Sequence, residues 1–228
     1  MLKARSFHAV MLLLVMLALA ACVGSGKSQG FSAPKLPYRT WEIGLITPNY
    51  MEVWVESVDV VDQRGFAYER VHGGTSSIQN PPGNRGNPSG WPKRPGAGKS
   101  RPMEGIDLPE HIFVRWQSLA EPQTYNARVD VPDWVRHEMI IPRDAYCRFD
   151  GKNIQDYRKV ITLGLAPGGI VKAWLNGDCS DPMEIGRFEG SIVPEGPSGG
   201  QTDGRYALPL APEAQEYLKS HAIPYDSW

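Results

Sequence analysis

The chain has 228 residues, of which 24 are Lys or Arg and 25 are Asp or Glu, so its formal net charge is −1. The 41% of hydrophobic residues, with seven Trp and nine Tyr, exclude a chain that is disordered throughout. The balanced charge excludes a general nucleic-acid binder, and three Cys exclude a disulfide-dense miniprotein. The 24 Gly and 20 Pro disfavour an all-helical fold, because both residues destabilise helix interiors.

Residues 1–21 have the pattern of a secretory signal peptide. Lys3 and Arg5 form a positive start, and an unbroken apolar run follows from Ala9 to Ala21. This run is too short for a membrane-spanning helix, which needs about 20 apolar residues. A short apolar stretch behind a basic start is instead typical of a segment that directs export and is then removed.

The apolar run ends in Leu19–Cys22, with the sequence Leu-Ala-Ala-Cys that resembles a bacterial lipobox. We therefore expect cleavage before Cys22 and lipidation of this residue, with an ordinary signal peptide and an incidental Cys as the alternative. More than one acyl chain gives stable anchoring, and Val23, in place of an inner-membrane retention Asp, favours the periplasmic face of the outer membrane. Residues 22–37 would form a flexible lipidated tether, followed by a single β-rich periplasmic domain over 38–228.

The domain is predicted to be mainly β, with antiparallel, sandwich-like sheets. Its strand candidates are rich in β-branched and aromatic residues and are bounded by turn residues. They are Trp41–Thr47, Met51–Val61, His111–Ser118, Tyr125–Val131, Val160–Leu165, Ile170–Leu175 and Met183–Val193. Ala166–Gly169 has the sequence Ala-Pro-Gly-Gly and predicts a hairpin turn. A short C-terminal helix is predicted after Pro212, because Ala214, Tyr217 and Leu218 follow helical spacing.

One segment, residues 72–105, differs in composition from the rest of the domain. It holds eight Gly and six Pro in 34 residues. A long loop of this kind inside a compact domain is either a mobile excursion or a functional segment. If it is a partner-binding arm, its contact residues are Trp91, Arg94, Lys99 and Arg101, because Trp and Arg are favoured at binding hot spots and positive charge attracts an acidic partner.

Two cysteines remain once Cys22 is assigned to lipidation. In an oxidising compartment Cys147 and Cys179 can pair, and the disulfide would stabilise the domain by about 3–4 kcal/mol on the chain-entropy estimate. The alternative is two buried thiols.

Three motifs that suggest catalysis do not meet its requirements. Gly96–Ser100 resembles the end of a phosphate-binding loop but lacks the first Gly of that motif. Gly196–Gly200 matches Gly-x-Ser-x-Gly around Ser198, with Asp203 and His221 following, yet no helix can begin directly after the Ser. The histidines lack metal-ligand spacing. We therefore expect a protein that is not an enzyme, with no catalytic residue, no metal and no cofactor.

Several segments together resemble a family of bacterial lipoproteins of unknown function, over about Tyr38 to Trp228. The segments that carry the resemblance are Trp41–Gly44, Val53–Glu56, Pro109–Trp116, Leu163–Gly169 and Ala173–Leu175. Some members of that family act as immunity proteins against phospholipase effectors of type VI secretion.

The resemblance implies a membrane-anchored immunity lipoprotein that binds and neutralises a cognate phospholipase or lipase effector. Its expected partners are this effector and the membrane, with no nucleic acid. The alternative is a structural or ligand-binding lipoprotein of the envelope with no toxin partner. A third hypothesis is a serine hydrolase acting through Ser198.

Overall fold

The computed structural model describes residues 33–228, which form one compact unit. The predicted signal peptide 1–21, Cys22 and the tether as far as residue 32 lie outside the described residues. Across 33–228, no helix is both long and apolar enough to cross a membrane.

Within the described residues the chain forms twelve β-strands and two α-helices. In chain order they are β1 (Thr40–Ile46), β2 (Val53–Asp62), β3 (Ala67–Thr75), β4 (Lys99–Glu104), β5 (Pro109–Ser118), β6 (Gln123–Asp130), α1 (Asp133–Met139), β7 (Arg143–Cys147), β8 (Lys152–Asp156), β9 (Val160–Ala166), β10 (Ile170–Asn176), β11 (Met183–Glu189), β12 (Ser191–Ile192) and α2 (Pro212–Leu218). Every predicted strand is present to within a few residues, although the predicted Met183–Val193 strand is divided into β11 and β12.

The strands build two five-stranded sheets and one separate hairpin. The first sheet has the order β11-β10-β9-β1-β4, and the second has the order β12-β6-β5-β2-β3. Pairing is antiparallel except between β1 and β9, which run parallel with Glu42 opposite Val160. The mainly antiparallel, sandwich-like prediction is thereby confirmed, with one parallel pair that was not expected.

The main core lies between the inner faces of the two sheets. Side chains alternate between two faces along a strand, so each strand contributes every second residue to this layer. Trp41 on β1 and Trp116 on β5 are both fully buried, and the Trp41 Nε1 donates a hydrogen bond to the Ile106 carbonyl oxygen at 3.1 Å. This core runs through the compact unit that residues 33–228 form.

A second, smaller core forms where α2 packs against the turn before β2. The rings of Tyr50 and Tyr217 stack with centroids 4.3 Å apart, and Trp228 joins the same buried cluster. The predicted C-terminal helix is confirmed: Pro212 lies in its first turn, where the missing N–H costs nothing.

The Gly- and Pro-rich segment is shorter and more ordered than predicted. Both ends of the predicted loop 72–105 are strands, since β3 runs to Thr75 and β4 begins at Lys99, which leaves a loop over 76–98. Inside it, the Tyr50 hydroxyl donates to the Pro81 carbonyl oxygen at 2.5 Å, and the Trp228 Nε1 donates to the Pro88 carbonyl oxygen at 2.8 Å. Segment 76–98 is thus held against the body by buried aromatic side chains.

Candidate functional site

The β7–β8 hairpin is the most distinct surface feature of the domain. Among the described strands, its two members pair with each other and with no strand of the five-stranded sheets. Cys147 lies opposite Lys152, so residues 148–151 form the turn. Gly151 in this turn has a φ of 63°, a left-handed conformation that costs glycine little. We call β7, β8 and this turn the hairpin.

A cysteine pair connects the hairpin to the first sheet. The sulfur atoms of Cys147 and Cys179 lie 2.07 Å apart, so the two residues are able to form the predicted disulfide. Cys179 belongs to the 177–182 turn between β10 and β11. The pair therefore links the turn end of the hairpin to the end of the first sheet.

The buried carboxylate of Asp156 provides the second connection. Its Oδ2 accepts hydrogen bonds from the backbone N–H groups of Cys179 and Ser180 at 3.0 and 2.8 Å, and from the Ser180 hydroxyl at 2.7 Å. Burial acts to raise the pKa of Asp156, but these hydrogen bonds outweigh burial and the pKa lies below its ordinary value. The ionised carboxylate therefore holds the 177–182 turn in place.

A charge cluster fixes the hairpin base to α1. Glu138 receives the Arg143 guanidinium at 2.6 Å and the Arg158 guanidinium at 2.7 Å. The hydrogen bond from Arg143 is the largest influence on the Glu138 carboxyl, and it outweighs burial, so the pKa of Glu138 is lowered. Arg143 begins β7 and Arg158 follows β8 by two residues, so Glu138 connects both strands at the hairpin base to α1.

A cleft of about 750 Å³ lies between the hairpin, the 177–182 turn and Arg94–Ala97, which these connections hold together or which border them. We call it the hairpin cleft. On one side, Arg94 forms an ion pair with Asp181 at 2.8 Å, and both side chains are exposed. The volume falls within the range of roughly 300–1,000 Å³ that is usual for ligand sites.

The hairpin side of the cleft exposes aromatic and basic groups. Tyr146 is 58% exposed and Phe149 is 102% exposed, the highest value among the large apolar side chains of the described part of the chain. Arg148 lies between them, and no ion pair is found for it within residues 33–228. Tyr and Arg, together with Trp, are enriched among the residues that supply most of the binding energy at protein interfaces.

The structure separates the four predicted partner-binding residues. Arg94 lines the hairpin cleft, but Trp91 turns towards the first sheet, with its ring centroid 5.3 Å from that of Trp174. Lys99 and Arg101 lie on the edge strand β4, where the Lys99 Nζ donates to the Thr75 hydroxyl at 2.8 Å. These four residues do not form one surface.

Sequence reasoning missed the aromatic residues of the hairpin. A local signal was present: Asp150–Gly151 is a strong hairpin-turn dipeptide. Residues 148–151 do form that turn, but the flanking polar residues concealed the two strands.

The Gly-x-Ser-x-Gly motif forms a structural turn. The backbone N–H of Ser198 donates to Glu56 Oε1 at 2.6 Å, which fixes the turn to β2. His221 instead stacks on Tyr217 with centroids 4.1 Å apart. Within the described residues no hydrogen bond joins Ser198 to His221 or to Asp203.

Residues 33–228 contain no group of three or more His, Cys, Asp and Glu side chains placed to hold a metal ion.

Comparison with known proteins identifies one family. A family model described as "Protein of unknown function (DUF2931)" matches residues 26–226. No curated protein and no solved structure matches the chain.

Proposed function

The chain belongs to the DUF2931 family of proteins of unknown function, and we propose that it is an immunity lipoprotein of the bacterial envelope. It is lipidated at Cys22 and held at the periplasmic face of the outer membrane. There it binds and neutralises a phospholipase or lipase effector of type VI secretion.

The observation that carries this proposal is the hairpin cleft. It presents Tyr146 and Arg94 on a frame held by the Cys147–Cys179 pair and the Asp156 hydrogen bonds. A preformed surface with exposed Tyr and Arg favours protein binding, because little side-chain and loop entropy is lost when the partner docks.

The proposed anchor supports the same function. Leu19–Cys22 has the lipobox pattern, and a phospholipase attacks the membrane to which Cys22 would be attached. A tether confines the inhibitor to a thin layer at that surface, which raises its effective concentration towards an enzyme working there. Inhibition then requires only that the bound protein cover the active site or the membrane-facing surface of the effector.

The test is protection of bacteria from a cognate phospholipase effector that is directed to the periplasm. Co-expression of the wild-type chain should restore growth, and the two proteins should purify together. Tyr146→Ser and Arg94→Glu should weaken both effects, whereas Arg101→Glu, a matched charge reversal on β4 outside the cleft, should leave them unchanged. Unchanged killing together with no complex would reject the proposal.

A second candidate is a ligand-binding lipoprotein of the envelope with no toxin partner. The volume of the hairpin cleft, about 750 Å³, favours it, because a small molecule could occupy such a space. A small molecule that co-purifies with the wild-type chain and is lost in Tyr146→Ser, with no effector gene beside this one, would support this candidate over immunity.

A further inference from the structure

We propose that the tip of the hairpin, residues 148–151, is a second membrane contact, and that its occupant is the phospholipid leaflet that carries the lipid anchor. In this arrangement the Phe149 ring enters the interfacial region of the leaflet, and the Arg148 guanidinium lies at the lipid phosphates. The inference rests on the anchor of the proposed function but does not depend on the effector.

The first observation is the exposure of Phe149. Its side chain is 102% exposed at the tip of a turn, a place where polar residues and glycine are normally found. The tip is nevertheless held firmly, because Cys147, two positions earlier, is paired with Cys179. An aromatic ring projecting from a fixed turn is suited to enter the boundary between lipid headgroups and acyl chains.

The second observation is the charge around that ring. Arg148 precedes it without an ion pair among the described residues, and Lys152 follows at the start of β8. The Lys152 ammonium is 4.0 Å from the Asp150 carboxylate, a long and exposed contact that leaves it available to other anions. Basic side chains beside an apolar ring are the pattern by which surface segments bind anionic lipid.

The third observation is the place where the tether enters the domain. The Tyr38 ring meets the Tyr157 ring edge to face, with centroids 5.5 Å apart, and Tyr157 directly follows β8. Residues 33–38 therefore enter the domain beside the base of the hairpin.

Lengths agree with simultaneous contact. The five residues of β8 extend about 17 Å from the hairpin base to its tip at roughly 3.4 Å per residue. Leu36 already packs against the core, so the predicted tether has 36 − 22 = 14 residues between Cys22 and the body and would span about 19–22 Å as a flexible coil. The lipid anchor and Phe149 can consequently reach the same leaflet.

The experiment uses the lipidated full-length protein in vesicles of phosphatidylethanolamine and phosphatidylglycerol. An environment-sensitive fluorophore is attached at Phe149→Cys or, as the matched control, at Arg205→Cys on an exposed turn elsewhere. Neither substitution removes a buried side chain. Quenching by doxyl-labelled lipid reports membrane contact, and quenching by aqueous iodide reports exposure to water.

We expect the fluorophore at 149 to be quenched by doxyl lipid and to lose iodide quenching, while the fluorophore at 205 shows the reverse. Adding Arg148→Glu to the 149 variant should reduce doxyl quenching. Equal iodide quenching at 149 and 205 would overturn the inference. Iodide shielding at 149 that appears only after the effector is added would also overturn it, because the tip would then be a protein contact. Lipid contact without protection from the effector would reject the immunity proposal and leave this inference standing.

Discussion

The contact between Trp91 and Gly164 allows a quantitative test of how segment 76–98 is held. Gly164 lies on β9, and a Cβ added there would be 2.6 Å from the Trp91 Cη2 and 2.9 Å from the Trp174 Cζ3. Ordinary contact begins near 3.4 Å, so the Trp91 ring would have to retreat by 3.4 − 2.6 = 0.8 Å. The Trp174 ring restricts that retreat, because both rings crowd the same position.

We therefore expect Gly164→Ala to lower the free energy of unfolding by about 1–3 kcal/mol, the usual cost of overpacking a core. Gly186→Ala on β11 is the matched control, since its added Cβ would be 3.4 Å from the nearest atom, in the Phe188 ring. The control should change stability by no more than about 0.5 kcal/mol. Urea unfolding followed by far-UV circular dichroism measures both variants, because the seven Trp of the chain make fluorescence unspecific.

A double variant tests the cause. Trp91→Ala alone should cost up to about 3 kcal/mol through lost packing. Once the ring is gone, Gly164→Ala should add almost nothing, so the two costs should be clearly non-additive. Equal stability of Gly164→Ala and Gly186→Ala, or strict additivity with Trp91→Ala, would refute the placement of Trp91 over Gly164.

Three further predictions concern the hairpin and the C-terminus. Replacing both Cys147 and Cys179 with Ser should lower stability by about 3–4 kcal/mol for their separation of 32 residues, and a reductant should reproduce this loss in the wild type by urea unfolding. The pKa of the Asp156 carboxyl is lowered, so the contribution of this group to stability is present above its ordinary pKa of 3.8 and is lost as pH falls through the folded-state pKa. Asp156→Asn should therefore flatten the acid limb of a curve of stability against pH. An unchanged acid limb would contradict the assigned hydrogen bonds. Trp228→Ala removes the donor to the Pro88 carbonyl oxygen and should expose segment 76–98 to limited proteolysis, whereas an unchanged cleavage pattern would show that other contacts hold it.

Most of the strands that sequence analysis located contribute strongly to the core, although β11 and β12 have no fully buried residue. β6 and β9 are examples: β6 alternates buried and exposed residues, and β9 is buried along its whole length. Such patterns are visible in the sequence because burial restricts which residue types are allowed.

The missed strands contain few buried residues, so burial left little pattern in them: β3 has one buried residue among nine. β4 has the sequence Lys-Ser-Arg-Pro-Met-Glu with a single buried residue, and β7 is exposed at three of its five positions. The seven-residue helix α1 does show a weak signal, since Val135 and Met139 are buried four residues apart. Hydrophobic periodicity cannot identify a strand that has water on one side and a single partner strand on the other, because few of its residues are buried.

The candidate site was harder to predict than the fold because it joins distant parts of the chain. Arg94 comes from segment 76–98, Tyr146 from the hairpin and Asp181 from the turn before β11. Composition directed attention to the Gly- and Pro-rich segment, which contributes only one side of the cleft. The aromatic residues that complete it stand among polar neighbours, and only tertiary structure shows that they share a surface.

The parallel pairing of β1 and β9 has a consequence for the order in which the protein can fold as it emerges N-terminus first. Glu42 cannot pair with Val160 until the chain has emerged a further 160 − 42 = 118 residues. Until then β1 can pair only with β4 and leaves an apolar strand edge open, which is a template for misassembly with other chains. Completion of the first sheet is therefore a late step, and the nascent chain depends on protection of that edge until β9 appears.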